Sequence, residues 1–242
     1  MIKTTFNYYL LDDLINGFTT ANVLGRGVIV PEINSLKVSG SDGIVITDSS
    51  LPARPLEVQY LLKRTNANEF QQSLRKLNQL LYSDHDVKIR FSDESGWFYE
   101  GRVTAHTPPS EDNFTGFGSF TITCPKPFRY QDEAIATIGD VLKMPRVNKI
   151  EFTPDAETNQ IVISDEFTSN QIVINDSFTA DDKLEIDLTT KTPKVYKNNA
   201  PITSKIDYKN TSLSSFRRAD KLKLKLLQGS GNVTIKYNER EL

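Results

Sequence analysis

Apolar residues recur along most of this chain in short runs, many with a period of two, which is the spacing of a β-strand. The clearest case is Lys221-Leu-Lys-Leu-Lys-Leu226, which alternates strictly and predicts a strand with leucines on a core and lysines in water. Other runs are rich in Val, Ile, Thr, Tyr and Phe and are interrupted by Gly, Pro, Asn and Asp. The pattern therefore predicts a mainly β protein.

One segment of the N-terminal half has helical spacing instead. Between Asn66 and Tyr82 the apolar residues fall at steps of four, three and four, which draws one stripe along a helix: Phe70, Leu74, Leu77 and Leu81. Asn66 can cap the first turn, and Glu69 three residues later is typical of a capping box. We predict one helix over 66–82, with its stripe packed on a sheet.

Residues 28–47 are a candidate hairpin that extends from the N-terminal half. Val28-Ile-Val30 and Ile44-Val-Ile46 are strand-like, and Ser39-Gly-Ser-Asp-Gly43 between them is typical of a turn. The segment is polar and Gly-rich, and it offers little apolar surface to a core of its own. We therefore expect a projecting arm.

The sequence pattern changes near residue 130, where a proline-containing segment precedes a second series of strand-like runs. Pro125-Lys-Pro127 cannot lie in a central strand, because proline has no N–H for the ladder. This predicts an N-terminal domain of residues 1–130 and a C-terminal domain of residues 131–242. In the latter, residues 159–169 are repeated almost unchanged as 170–180, which fits two successive strands of an all-β sandwich without a helix.

Composition narrows the function classes. The 242 residues carry 29 Lys+Arg and 31 Asp+Glu, so the net charge of −2 argues against a dedicated nucleic-acid binder. One cysteine, Cys124, excludes an internal disulfide and a multi-cysteine zinc site. No apolar run is long enough to span a membrane, and the N-terminus has no signal-peptide core, so we expect synthesis in a cytoplasm.

Motifs that carry catalysis or cofactor binding are missing from the sequence. It contains no nucleophile elbow, phosphate loop or zincin motif, and Gly25-Arg-Gly27 lacks the third glycine of a dinucleotide turn. Asp84-His-Asp86 is interpreted as a solvated turn, and Cys124 as a core residue. We therefore predict no catalytic, cofactor-binding or metal-binding residues.

Two alternatives remain open at this point. Three aspartates recur at a spacing of eleven, which a calcium ladder could use, although turn formation at strand ends explains them equally: Asp165, Asp176 and Asp187. Three tyrosines of the C-terminal half could form a sugar-binding platform, although core or edge packing is the simpler interpretation: Tyr196, Tyr208 and Tyr237.

The order of several segments resembles one protein family. In the N-terminal half these are Arg54-Pro-Leu-Glu-Val58, Leu77-Asn-Gln-Leu80, Val87-Lys-Ile-Arg-Phe91, Trp97-Phe-Tyr99 and the run from Phe117 to Phe128. In the C-terminal half they are Lys183-Leu-Glu-Ile-Asp187, Lys194-Val-Tyr196 and the run from Gly229 to Tyr237. Together they resemble the distal tail protein (Dit) family of siphophages over nearly the whole chain, in its short form without inserted carbohydrate-binding modules.

The resemblance implies a structural role in the virion and no enzymatic activity. It implies a hexameric hub ring at the tail tip, made by the N-terminal domains, with galectin-like C-terminal β-sandwiches projecting outward. The implied partners are the tail tube protein, the tail-associated hub or lysin protein and receptor-binding proteins, and the arm would embrace the next subunit. The alternative is an adhesion module for cell-wall glycans, although the C-terminal half lacks the His and Trp of galectin sugar sites.

Overall fold

The computed structural model describes residues 1–40, 42–110, 114–217 and 219–242. The chain divides into two compact units, Met1–Arg129 (unit 1) and Tyr130–Glu241 (unit 2). Each unit has its own hydrophobic core. Both consist mainly of antiparallel strands, so the predicted mainly β class is confirmed.

Unit 1 is one curved antiparallel sheet with a long helix and a separate hairpin. Its strands are β1 (Thr4–Phe6), β2 (Tyr9–Leu10), β3 (Phe18–Leu24), β4 (Glu32–Leu36), β5 (Val45–Ser50), β6 (Arg54–Lys63), β7 (Val87–Phe91), β8 (Trp97–Thr107) and β9 (Thr115–Cys124). β10 (Arg129–Gln131) lies at the boundary of the units. The sheet order is β2-β1-β7-β8-β9-β6-β3, and β4 and β5 form a hairpin of their own.

The predicted long helix is confirmed as α2 (Ala67–Leu81). Asn66 precedes it in an extended conformation and its Oδ1 accepts a hydrogen bond from the Glu69 N–H at 3.0 Å. Phe70, Leu77 and Leu81 are buried in the core of unit 1, as the stripe predicts. The Glu69 carboxylate accepts instead from the Thr65 hydroxyl and pairs with Arg64, so only half of the capping box is present.

Two very short helices were not predicted from the sequence. α1 (Leu11–Leu14) adds a single turn to unit 1, and α3 (Leu213–Arg217) lies in unit 2, where we expected no helix. A 3₁₀ turn at Thr203–Lys205 also interrupts unit 2. Elements of three to five residues are too short to show a 3.6-residue period, and tertiary contacts determine them.

The Asp12 carboxylate connects strands from opposite ends of the unit 1 sheet. Its Oδ2 accepts from the Thr4 N–H of β1 at 2.9 Å, and its Oδ1 accepts from the Thr20 N–H of β3 at 2.7 Å. The Thr20 hydroxyl donates to Oδ2 at 2.8 Å, and the buried Thr4 and Thr20 hydroxyls lie 2.9 Å apart. Asp12 thereby accepts hydrogen bonds from backbone N–H groups that are not paired within the sheet, and links β1 to β3.

Unit 2 consists of two facing sheets and a short ribbon. Its strands are β11 (Ala134–Thr137), β12 (Leu142–Lys143), β13 (Pro145–Pro154), β14 (Ile161–Asp165), β15 (Gln171–Ile174), β16 (Leu184–Asp187), β17 (Lys194–Lys197), β18 (Ala200–Pro201), β19 (Lys221–Leu222), β20 (Leu224–Gln228) and β21 (Gly231–Glu241). One sheet runs β18-β17-β16-β13-β21-β11, the other runs β15-β14-β20, and β12 pairs with β19. Apolar residues of both sheets form one core cluster.

The internal repeat of unit 2 folds as predicted. Its two copies supply β14 and β15, which pair directly with Ile161 opposite Ile174 and Ile163 opposite Ile172. All four isoleucines are buried. Leu222 and Leu224 are also buried, as the strict alternation predicts, although Lys223 separates the two short strands that contain them.

We predict that Leu77→Ala lowers the free energy of unfolding by about 2–5 kcal/mol, since the substitution leaves a cavity in a closed core. Leu77 is 1% exposed. Gln79→Ala on the exposed side of the same helix is the control and should change stability by less than about 0.5 kcal/mol. Urea denaturation followed by circular dichroism measures both, and equal midpoints would contradict the packing of the stripe.

We predict that Asp12→Ala lowers the free energy of unfolding by about 2–4 kcal/mol, because it removes the acceptor of three hydrogen bonds, two of them from backbone N–H groups. Asp13→Ala is the matched control. Its carboxylate is exposed and pairs only with the exposed Lys3 among the described contacts, so it should cost less than about 1 kcal/mol. Similar losses in the two variants would show that the link from β1 to β3 through Asp12 does not stabilise unit 1.

Candidate functional site

The arm (residues 28–50) projects from unit 1 with almost its entire surface in water. Every residue of β4 and β5 is exposed, and among the described residues β4 pairs only with β5. The arm nevertheless exposes eight large aliphatic side chains: Val28, Val30, Ile33, Leu36, Val38, Ile44, Val45 and Ile46. A single two-stranded hairpin is marginally stable in water, and a concentrated apolar surface marks an interaction site.

The predicted arm is present, but its paired strands differ from the prediction. The ladder joins Glu32–Leu36 to Val45–Ser50, with an irregularity between Asn34 and Ser35. The run 28–30 lies before the ladder, because Pro31 has no N–H to donate and favours an extended residue before it. Gly40 and Gly43 have positive φ, as the turn requires, and Ser41 of the predicted turn lies outside the described residues. As expected, the strands of the arm contribute no buried residue to the core of unit 1.

The arm begins at a constrained root (residues 25–27). Gly25 has a φ of +89°, and a Cβ there would lie 1.9 Å from the Pro55 carbonyl oxygen, so only glycine fits. The Arg26 guanidinium donates to both carboxylate oxygens of Asp93 at 2.9 Å and lies 5.3 Å from the centre of the Phe91 ring. These contacts fix the direction in which the arm leaves the sheet.

Arg54 also fixes the root, through hydrogen bonds from its buried side chain. Its side chain is among the largest fully buried ones, and residue exposure is 1%. Nη1 donates to the carbonyl oxygens of Gly25 at 2.9 Å and Gly27 at 3.1 Å, while Nε donates to the carbonyl of Pro127 at 2.8 Å. The guanidinium also lies over the Tyr99 ring, at 5.9 Å. Burying a cation is costly unless its donors find acceptors, and here backbone carbonyls accept from Nε and Nη1.

No sequence pattern singled out Arg26, Arg54 or Asp93 as determinants of this site. Gly25-Arg-Gly27 was weighed only as a nucleotide-binding turn, which it is not. Glycines that flank an arginine at the end of a strand, before a projecting hairpin, were the available signal. The partners of these residues lie far away in the chain, and spacing alone cannot reveal them.

The residues weighed for chemistry do not assemble into a site. His85 pairs with Asp84 at 2.6 Å on the surface, whereas Asp86 pairs with Arg102 at 2.8 Å. His106 Nε2 lies 2.8 Å from the Tyr60 hydroxyl, and burial lowers the pKa of this imidazole. Cys124 is buried in the core of unit 1, which confirms the prediction that it is a core residue, and burial raises the pKa of its thiol to about 12.

Two of the three evenly spaced aspartates accept hydrogen bonds from residues of their own turns. Asp165 is buried and accepts from the Phe167 and Lys223 N–H groups and from the Thr168 hydroxyl. Asp187 accepts from the N–H and hydroxyl of Thr189. Asp176 lies 4.0 Å from the Lys205 ammonium. Within the described residues, no group of three or more acidic, His or Cys side chains is arranged to hold a metal.

The candidate sugar platform is not formed. Tyr196 lies in a row of outward-facing residues with Glu185, whereas Tyr237 packs against the core of unit 2. Tyr208 is exposed in a turn away from both strands. An open groove of unit 2, about 460 Å³ in volume, is lined by charges of both signs and defines no ligand class: Lys143, Met144, Asp220, Lys221, Glu239, Arg240 and Glu241. In the described part of the chain, no helix is long and apolar enough to cross a membrane.

Two protein families match consecutive parts of the chain. Residues 11–124 match the phage tail protein RIFT-related domain, and residues 143–240 match the siphovirus-type tail component, C-terminal domain. The first match falls within unit 1 and the second within unit 2. The two folds in this order define a tail component of a siphophage.

Individual relatives specify this class further. The distal tail protein of Bacillus phage SPP1 is 36% identical over 129 residues, which are 52% of this chain and 50% of that protein. The chain thus spans about half the length of the curated relative that it matches. The family matches and this relative show that the chain belongs to the distal tail protein (Dit) family of siphophages, whose members are structural tail proteins and not enzymes.

Solved structures of this class share the fold over the whole chain. The crystal structure of the SPP1 Dit protein, described as a paradigm of the hub adsorption apparatus in phages that infect Gram-positive bacteria, matches with a TM-score of 0.82 at 22% identity, and both chains are covered completely. A chain of the phage P2 baseplate, in its activated conformation with Ca, matches with a TM-score of 0.56 at 11% identity, covering 100% of this chain and 99% of that one.

Proposed function

We propose that this chain is the ring-forming subunit of a siphophage tail-tip hub. Residues 1–130 form the ring-building domain, and residues 131–242 form a galectin-like domain that projects from it. Six copies close into a ring that joins the tail tube to the tail-associated hub or lysin protein and supports receptor-binding proteins. The subunits assemble in the cytoplasm of the bacterial host before they enter the virion.

The exposed arm carries this proposal. Its eight aliphatic side chains have no partner surface on their own chain among the described contacts, so a neighbouring molecule is the natural place to bury them. In the proposed ring the arm docks on a different patch of the next subunit, which makes the contact heterologous. Heterologous contacts that close after a fixed rotation produce rings, and this is the geometry that a hub around a tail channel requires.

Ion pairs on the surface of unit 2 are consistent with a structural role. On the outer face of the large sheet of unit 2, Lys149 pairs with Glu185 at 2.8 Å and Lys236 with Glu151 at 2.6 Å. Such cross-strand ion pairs keep a face soluble and contribute little stability. The aliphatic arm is therefore the better candidate for the principal subunit contact.

We predict that deletion of residues 31–46 preserves the fold of unit 1 but weakens ring formation, since the arm adds nothing to the core. Light scattering after size exclusion, at two protein concentrations about tenfold apart, measures the assembly by mass action. The full chain should reach six times its 27.3 kDa, with rings in negative stain. The deletion variant should keep its unfolding midpoint and lose mass.

Point substitutions within the arm provide a matched control. Ile33→Ser with Ile46→Ser removes apolar contact surface, whereas Asn34→Ser with Asp48→Ser changes a facing polar pair of the same ladder. Only the first pair should reduce the mass. Full oligomerisation of the deletion variant would contradict the role of the arm, and a single-chain mass of the unaltered protein at both concentrations would contradict ring formation without partners.

A further inference from the structure

The turn between β7 and β8 contacts two segments that are distant in the sequence. One is the arm root, residues 25–27, and the other is the exit segment, residues 125–129, through which the chain leaves unit 1. Asp93 of this turn binds the Arg26 guanidinium through both carboxylate oxygens at 2.9 Å. The next residue, Glu94, accepts from Arg129 Nη1 at 3.1 Å. Neighbouring residues of one turn therefore hold the arm root and the exit segment.

One carboxylate oxygen of Glu94 lies close to positive charges of both the arm root and the exit segment. Glu94 Oε1, which accepts from Arg129, also lies 3.8 Å from Arg26 Nη1. These side chains are partly shielded from water, with 18% exposure for Arg26, 17% for Glu94 and 29% for Arg129. Partial burial reduces screening, so the three groups respond to each other's positions more strongly than fully exposed ions do.

The turn itself is held firmly by the backbone. The Glu94 N–H donates to the Phe91 carbonyl and the Trp97 N–H donates to the Glu94 carbonyl, both at 3.1 Å. The Ser92 N–H donates to the Lys3 carbonyl at 3.0 Å, which ties the turn to the N-terminal segment before β1. A turn with these bonds moves as one piece, so a displacement of Asp93 is passed on to Glu94.

Arg54 forms a second, independent bridge between the same segments. Its Nη1 donates to carbonyl oxygens of the arm root, and its Nε donates to the carbonyl of Pro127 in the exit segment. The planar guanidinium fixes the angle between these donors, so the root cannot tilt while both sets of bonds are kept.

We infer that the turn and Arg54 together couple the arm to the exit segment, so that a displacement of the arm changes the tether through which unit 2 is attached. The coupling is a property of the single chain and does not depend on ring formation. If the arm docks on a neighbouring subunit as proposed above, that contact becomes detectable at the exit segment of unit 1.

The chain contains a natural reporter of this coupling. Trp97 is its only tryptophan, and the Arg129 guanidinium lies 4.7 Å from the centre of the indole ring. When Arg129 leaves this position the ring gains exposure to water, and its fluorescence emission moves to longer wavelength. Hydrogen–deuterium exchange of peptides that cover the exit segment reports its backbone opening independently.

The decisive variant is Arg26→Gln, studied in the full chain at a concentration where it is monomeric. Arg26 has no described contact with the exit segment, so only the coupling can transmit its loss. Because Pro125 and Pro127 have no amide hydrogen, the amides that report are those of Lys126, Phe128 and Arg129. We expect their exchange to rise about threefold, as for the loss of a partly shielded ion pair, with a red shift of Trp97 emission. Asp93→Asn removes the same contact from the side of the turn and should reproduce the rise in exchange.

Arg102→Gln and Asp86→Asn are the matched controls. Arg102 and Asp86 also form a surface ion pair on unit 1, at 2.8 Å, but they contact neither the arm nor the exit segment in the described structure. Both controls should leave exit-segment exchange and Trp97 emission unchanged. Exchange in residues 125–129 that stays at the level of the unaltered protein in Arg26→Gln and Asp93→Asn overturns the inference, and ring mass measured separately shows whether the proposed function survives it.

Discussion

The buried guanidinium of Arg54 is the constraint on which the rest of unit 1 depends. Removing a positive charge from water is costly unless its donors find acceptors, and the acceptors of Nε and Nη1 here are main-chain carbonyls from two distant segments. The chain must therefore bring residues 25–27 and Pro127 to the start of β6 together. This one requirement determines both where the arm leaves the sheet and where the chain leaves the unit.

The arm itself does not pack on the core of unit 1, but its root is fixed to the sheet. Ten aligned pairs between β6 and β9, together with the β3–β6 ladder, anchor the two strands from which the arm departs. Gly25 allows the close approach to Pro55 that Arg54 needs, and the Arg26–Asp93 pair adds a contact on the outer side. A hairpin that is only marginally stable by itself is thus presented in a defined direction, which lowers the entropic cost of docking.

Sequence patterns predicted the parts of this protein that depend on local or periodic physics. The stripe of α2, the Asn66 cap, the repeat strands β14 and β15 and the existence of an arm all follow from spacing and turn composition. The register of the arm was missed, since the effect of Pro31 and a ladder irregularity shift the pairing away from the most apolar runs. The root was also missed, because its contacts join residues 67 and 73 positions apart, such as Arg26 with Asp93 and Arg54 with Pro127.

The pKa of a firmly held carboxylate also bears on whether it could act in proton transfer. The Asp182 carboxylate stabilises a turn: hydrogen bonds from Thr179, followed by Lys197 and Asn198, hold its pKa at about 2. Such a carboxylate stays ionised at neutral pH and is unsuited to moving a proton, which needs a pKa near the operating pH. Its stabilising effect is present above the ordinary aspartate pKa and is lost only as the pH falls towards 2. Asp182 therefore maintains a turn, while the arm exposes eight aliphatic side chains to water, and both features are expected of a protein that works by assembly.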